Sequence, residues 1–115
     1  MVNKNVQNKS FCFAVRIVKL CKLLRSERKE YTLSAQLLRS GTSIGANLAG
    51  AQQAQSRADF LSKLNIALKE ASETEYRLKL LQATDYLSES EFNSIMHDCD
   101  ELVKILVASV RAIRR

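Results

Sequence analysis

The sequence predicts an all-α protein, an antiparallel up-down-up-down four-helix bundle forming one domain over residues 1–115. Three observations carry that prediction. The chain has no proline and only three glycines, so residues that interrupt helices are nearly absent. Leu, Ala, Lys, Glu and Arg dominate while aromatic residues make up 6%, a balance that favours helix over sheet. Apolar residues recur at steps of three and four through four long stretches joined by short polar links, and short links force neighbouring helices to run antiparallel.

The first stretch, about 9–28, is amphipathic. At 100° per residue, Phe13, Ala14, Ile17, Val18, Leu20, Cys21 and Leu24 share one side, and Arg16, Lys19 and Lys22 fall largely opposite. The polar run RSERKEYT follows.

The second stretch, about 32–55, opens with Thr32 as the expected N-cap. It contains GTSIGANLAGAQQA, residues 41–54, which reads either as a phosphate-cradling loop or as a helix of small residues. Leu33, Leu37, Gly41, Ile44, Leu48 and Ala51 recur at four, four, three, four and three, so the helical rhythm crosses the glycines without changing phase. A phosphate loop needs GxxxxGK[ST] spacing after a strand, and neither is present. The helix is therefore the expectation, with Gly41, Gly45 and Ala49 as a strip that lets a neighbouring helix approach closely.

The third stretch, about 58–84, places Phe60, Leu61, Leu64, Ala67, Leu68, Ala71, Leu78 and Leu81 on one stripe. The fourth, about 88–114, begins with a capping box of Ser88 and Glu91. Its seam runs Phe92, Ile95, Met96, Cys99, Leu102, Val103, Leu106, Val110 and Ile113, and a helix of about 27 residues is about 40 Å long. Ile105 and Val107 flank that seam, and Val15 and Leu23 lie on the basic side of the first helix. Apolar arcs this broad meet more than one partner, and self-association supplies one.

A chain of 115 residues is long enough to bury a core as a single domain. The net charge of +6 is uneven: residues 1–30 hold eight Lys/Arg against Glu27 and Glu30, whereas residues 31–115 hold ten charges of each sign. A concentrated excess of this kind points to a polyanionic partner or an acidic surface. Arg16, Lys19 and Lys22, with Arg25, Arg28 and Lys29 beyond, are the candidate phosphate contacts, sequence-tolerant in character. A solvated face that keeps the protein soluble is the equal alternative. No aromatic residue interleaves these cations along the helix, which gives no support to a stacking platform. Arg111, Arg114 and Arg115 extend the patch if they lie near the first helix, or else complement the negative end of their own helix.

Arg39, Ser43 and Asn47 stand four apart on the second helix and read as a structural or interface network. Asn65 and Glu75, beside the apolar stripe of the third helix, are either buried partners of that network or a solvent-facing pair. Cys12, Cys21 and Cys99, odd in number and without a CxxC pair, are expected to be reduced, buried thiols of a cytoplasmic protein. No apolar run reaches membrane-spanning length, because Arg16 and Lys19 interrupt FCFAVRIVKLC. A ferritin-type di-iron site needs Glu-x-x-His twice, yet His97 is the single histidine and Ser94 stands three residues before it. His97, within MHDCD, is expected to be solvated. No catalytic residue, metal site, cofactor or small-molecule substrate is predicted.

RSGTSIGAN at 39–47, FLSKLNIALKEASETEY at 60–76 and YLSESEF at 86–92 closely resemble the 23S rRNA-intervening-sequence protein family of bacterial four-helix-bundle proteins. Arg77 departs from the pattern, since many relatives carry an aromatic residue there. The resemblance implies a left-handed up-down bundle assembling into a homo-oligomeric ring, commonly a pentamer. It also implies similarity to the accessory proteins of diversity-generating retroelements, which bind a reverse transcriptase and nucleic acid. The expected function is a non-enzymatic oligomer binding RNA or DNA by backbone electrostatics through its basic first helix. The alternative is an interaction scaffold with an acidic protein partner.

Overall fold

Four helices, α1 (Lys4–Ser26), α2 (Thr32–Ala51), α3 (Arg57–Ala83) and α4 (Glu89–Arg114), account for nearly all of the computed structural model, which describes residues 2–114. Each helix packs on its neighbour in the chain, and α4 closes back on α1, giving a bundle of 44 × 20 × 20 Å. The long dimension is that of the longest helices at 1.5 Å per residue. Arg115 lies outside the described residues.

The helix ends follow local hydrogen-bond chemistry. α1 starts earlier than its apolar rhythm predicts because the Asn3 side chain accepts the Asn5 N–H at 2.7 Å and caps it. Thr32 is not the cap of α2. Tyr31 occupies that position without a side-chain bond, and the Glu30 carboxylate takes the Ser34 N–H at 2.7 Å instead. α2 ends at Ala51 rather than near residue 55, where three successive backbone bonds from Gln52, Gln53 and Ala54 to carbonyls three residues earlier tighten the chain into a turn. Ser56 then caps α3 by accepting the Asp59 N–H. α3 stops with Asp85 at φ 68°, the Tyr86 N–H bonding to the Leu81 carbonyl and the Asp85 N–H to that of Gln82. The capping box opens α4 as predicted: the Glu91 N–H bonds to Ser88 Oγ at 3.1 Å, and the Ser88 N–H to Glu91 Oε1 at 2.9 Å.

The predicted stripes form the core, except that Ala14 and Val18 of α1 stay half-buried on its flank, outside that cluster. Phe13, Ile17 and Leu24 of α1 meet Leu37, Ile44 and Leu48 of α2, Leu78 and Leu81 of α3, and Leu102 and Leu106 of α4, all fully buried. Each such side chain contributes about 1.5–3 kcal/mol of burial. Polar groups within the core are paired: Ser40 and Thr74 share a hydrogen bond of 2.9 Å between α2 and α3, and Thr74 donates onward to the Glu70 carbonyl at 2.8 Å.

The glycine strip is helical, and its effect is greatest at Gly41. A Cβ there would stand 2.8 Å from both Cγ atoms of Ile17, so α1 lies against bare backbone. Gly45 is next tightest, 3.3 Å from Ser10 Oγ, and Gly50 meets only the flexible end of Lys63 at 3.6 Å. The opposite side of α1 is different. α1 and α4 meet less intimately than any other adjacent pair. A groove of about 410 Å³ lies between Arg16, Lys19 and Leu20 on one wall and Ser90, Ser94 and Ile95 on the other.

Candidate nucleic-acid interface

Among the described residues, three ion pairs join α4 to α1 or to the turn that follows it. Lys9 reaches Glu101 at 3.0 Å, Arg16 reaches Asp98 at 2.6 Å, and Arg28 reaches Glu91 at 2.7 Å. Arg16 also donates to the carbonyl and hydroxyl of Ser94. Arg28 grips Glu91 with both terminal nitrogens and donates to the Tyr86 carbonyl at 2.7 Å, the forked geometry that guanidinium favours. Those hydrogen bonds from Arg28, followed by the Ser88 backbone N–H, hold the Glu91 carboxyl down at about 2. Two of the six predicted phosphate contacts, Arg16 and Arg28, are thus engaged with carboxylates of their own chain.

Among the described residues, the other four have no carboxylate partner. Lys19, Lys22, Arg25 and Lys29 are all exposed. Lys29, held at φ 56° where α1 turns away, donates to the Ser26 carbonyl at 2.8 Å. The Arg25 guanidinium lies 5.5 Å from the centre of the Tyr31 ring. The nearby acids mostly face elsewhere: Glu30 is buried on the α2 N-terminus and Glu91 is bound to Arg28, leaving Glu27 exposed.

Phe11, Val15, Val18, Lys22 and Arg25 recur at four, three, four and three on one outer flank of α1, so this flank is apolar in its first half and cationic in its second. Phe11 is 70% exposed and Val15 38%. Phe11 and Ala14 border a groove of about 460 Å³ against Thr42, Gly45, Ala46 and Ala49 of α2. Arg111 and Arg114 are exposed at the other end of the bundle, where α4 finishes beside Val2, Asn3 and Val6. They therefore lie near the start of α1 and do not extend the Lys22–Lys29 cluster.

A family profile described as 23S rRNA-intervening sequence protein matches residues 3–108. The chain belongs to that family. A solved structure from Bacteroides thetaiotaomicron VPI-5482, described as a protein of unknown function from the S23 ribosomal protein family, is similar to this member. It has 57% sequence identity and a TM-score of 0.91, over 92% of this chain and 95% of that one. No curated protein sequence matches.

The family motif residues form local contacts on α2. Ser43 donates to the Arg39 carbonyl at 2.5 Å, and Asn47 to the Ser43 carbonyl at 2.8 Å. The link to α3 runs from Arg39 to Glu70 at 3.2 Å. Glu70 was not a predicted site residue, although it falls on the Leu64–Ala67–Ala71–Leu78 stripe, where a carboxylate needs a partner. Burial raises the Glu70 pKa, and its hydrogen bond to Glu73 raises it further. Asn65 and Glu75 do not join Arg39, Ser43 and Asn47. Asn65 sits half-buried beside Leu61 and Ile66, and Glu75 turns to Asp100 of α4, a carboxyl–carboxyl hydrogen bond that raises its pKa. Arg77 lies mostly buried, 4.0 Å from Glu73, with its Nη1 unbonded.

All three cysteines are free thiols, but Cys12 is exposed rather than buried, because it lies across α1 from Ile17. Burial pushes Cys21 up to about 11 and Cys99 up to about 12. His97 is exposed. Among the described residues, no group of three or more His, Cys, Asp and Glu could hold a metal ion, and no helix is long and apolar enough to cross a membrane.

Proposed function

We propose that this chain is a non-enzymatic, self-associating bundle of the cytoplasm that binds RNA or DNA through phosphate contacts of α1. The observation that carries the reading is the set Lys19, Lys22, Arg25 and Lys29, exposed and, among the described residues, without carboxylate partners, beside two arginines that have them. Cations already held by Asp98 and Glu91 give little to a phosphate, whereas the free four release counterions on binding. The family description and the S23 neighbour make ribosomal RNA the first probe to use.

Self-association is assigned to the apolar half of the same flank. Phe11 beside the α2 groove, with exposed Val15 one turn further along α1, leaves an apolar surface that a second copy covers, closing into a ring such as a pentamer. A ring would set several basic rows side by side and steepen the salt dependence.

Filter binding of structured RNA and duplex DNA across a salt series tests the first claim. Affinity falls steeply with salt, and Lys19→Glu with Lys22→Glu abolishes it. Absent or salt-independent binding removes the reading. A partner retained on the wild-type bundle after nuclease treatment, and lost in the charge-reversed variant, would favour an acidic protein instead. Light scattering tests the second claim: Phe11→Glu yields a smaller species than wild type, and a wild-type mass equal to one chain contradicts it.

A further inference from the structure

We infer that the basic end of α1 takes unpaired nucleotides, with the ring of Tyr31 as the surface on which a base stacks. This deepens the proposed phosphate-binding reading and rests on it.

Tyr31 occupies the turn between the two helices, immediately before Thr32, and is 53% exposed. Its ring is held from one direction by Arg25, whose guanidinium carbon is 5.5 Å from the ring centre. Lys22 shares a helix face with Arg25, and Lys29 stands two residues before Tyr31. The backbone around the ring is fixed. The Glu30 N–H bonds to the Leu24 carbonyl at 2.9 Å, and the Glu30 carboxylate anchors the Ser34 N–H.

The chemistry follows from what each kind of nucleic acid offers. A duplex hides its base faces in the stack and presents phosphates, so it gains from the cations and nothing from an aromatic ring. An unpaired strand presents base faces as well, and a ring set among cations accepts one while the cations follow the backbone. The interleaving absent from the sequence of α1 is thus supplied by the last residue of the turn.

The test uses the full-length protein and two fluorescein-labelled probes, an oligoadenylate single strand and a blunt RNA duplex of the same length, with anisotropy read at low salt. Tyr31→Ala weakens single-strand binding by about 5- to 150-fold and leaves duplex binding unchanged. Tyr31→Phe retains wild-type binding, and Lys22→Glu weakens both probes. Unchanged single-strand affinity in Tyr31→Ala, with Lys22→Glu weakened, overturns the stacking role and leaves the phosphate reading intact. Equal weakening of both probes by Tyr31→Ala also overturns it, because the ring would then serve only to position Arg25. Failure of the wild type to bind either probe removes the phosphate reading and this inference together. Thermal melting of each variant confirms that the bundle remains folded.

Discussion

Gly41→Ala sets two known effects against each other. Alanine in place of a helix-interior glycine gains about 0.5–1 kcal/mol of backbone entropy and propensity. At Gly41 the new methyl would lie 2.8 Å from Cγ1 and Cγ2 of Ile17, a fully buried, β-branched side chain with no free end to swing aside. Overpacking of this kind costs about 1–3 kcal/mol. The overlap with two atoms at once puts the cost in the upper part of that range, so the expected net loss is about 1–2 kcal/mol. In a domain of this size that lowers Tm by roughly 4–8 °C. Gly50→Ala is the internal control. Its nearest neighbour, Lys63 Cε at 3.6 Å, is the movable end of a long side chain, so the propensity gain of about 0.5 kcal/mol stands and Tm rises. Gly45→Ala, 3.3 Å from Ser10 Oγ, falls between the two. Urea and thermal melts of the three variants give this order. A Gly41→Ala protein as stable as Gly50→Ala would refute the close-approach explanation of the glycine strip.

Three further outcomes follow from particular side chains. Asp85→Gly removes a non-glycine residue from φ 68° and raises stability by about 0.5–1 kcal/mol in urea melts. The lowered pKa of Glu91, about 2 against an ordinary value near 4.3, means its stabilisation is complete above pH 4.3 and disappears as pH falls toward 2. Because this side chain is 35% exposed, Glu91→Gln loses no more than about 1 kcal/mol at pH 7, and its melting point converges with wild type near pH 2. Iodoacetamide under native conditions adds one label per chain, at Cys12, and mass spectrometry after unfolding adds two more at the buried Cys21 and Cys99.

The four helices were legible because each buries a stripe whose period is written in consecutive residues, and Ser88 and Glu91 mark a start by their own side chains. Other boundaries were not. Asn3 and Glu30 cap helices in positions where composition gives little warning, and α2 stops after Ala51 although the following residues 52–56 include neither glycine nor proline. Its end is set by the turn that brings Ser56 to α3. The excess of positive charge in α1 was plain, but its division was hidden. Arg16 finds Asp98 and Arg28 finds Glu91 only once α4 has folded back, across 82 and 63 residues of chain. Tyr31 likewise joins the cations through a turn rather than a helical repeat. Glu70 had a readable signal, a carboxylate on an apolar stripe, but Arg39 as its partner belongs to another helix.

The central claim is that Lys19, Lys22, Arg25 and Lys29, which have no carboxylate partner among the described residues, neutralise phosphates, and the slope of affinity against salt measures it most directly. Four contacts per engaged chain predict a log–log slope of about −3 on single-stranded RNA and about −3.6 on duplex DNA. Reversing Lys19 and Lys22 removes two of the four contacts and should at least halve either slope. A wild-type slope near zero, or one that the reversal leaves unchanged, would contradict the account.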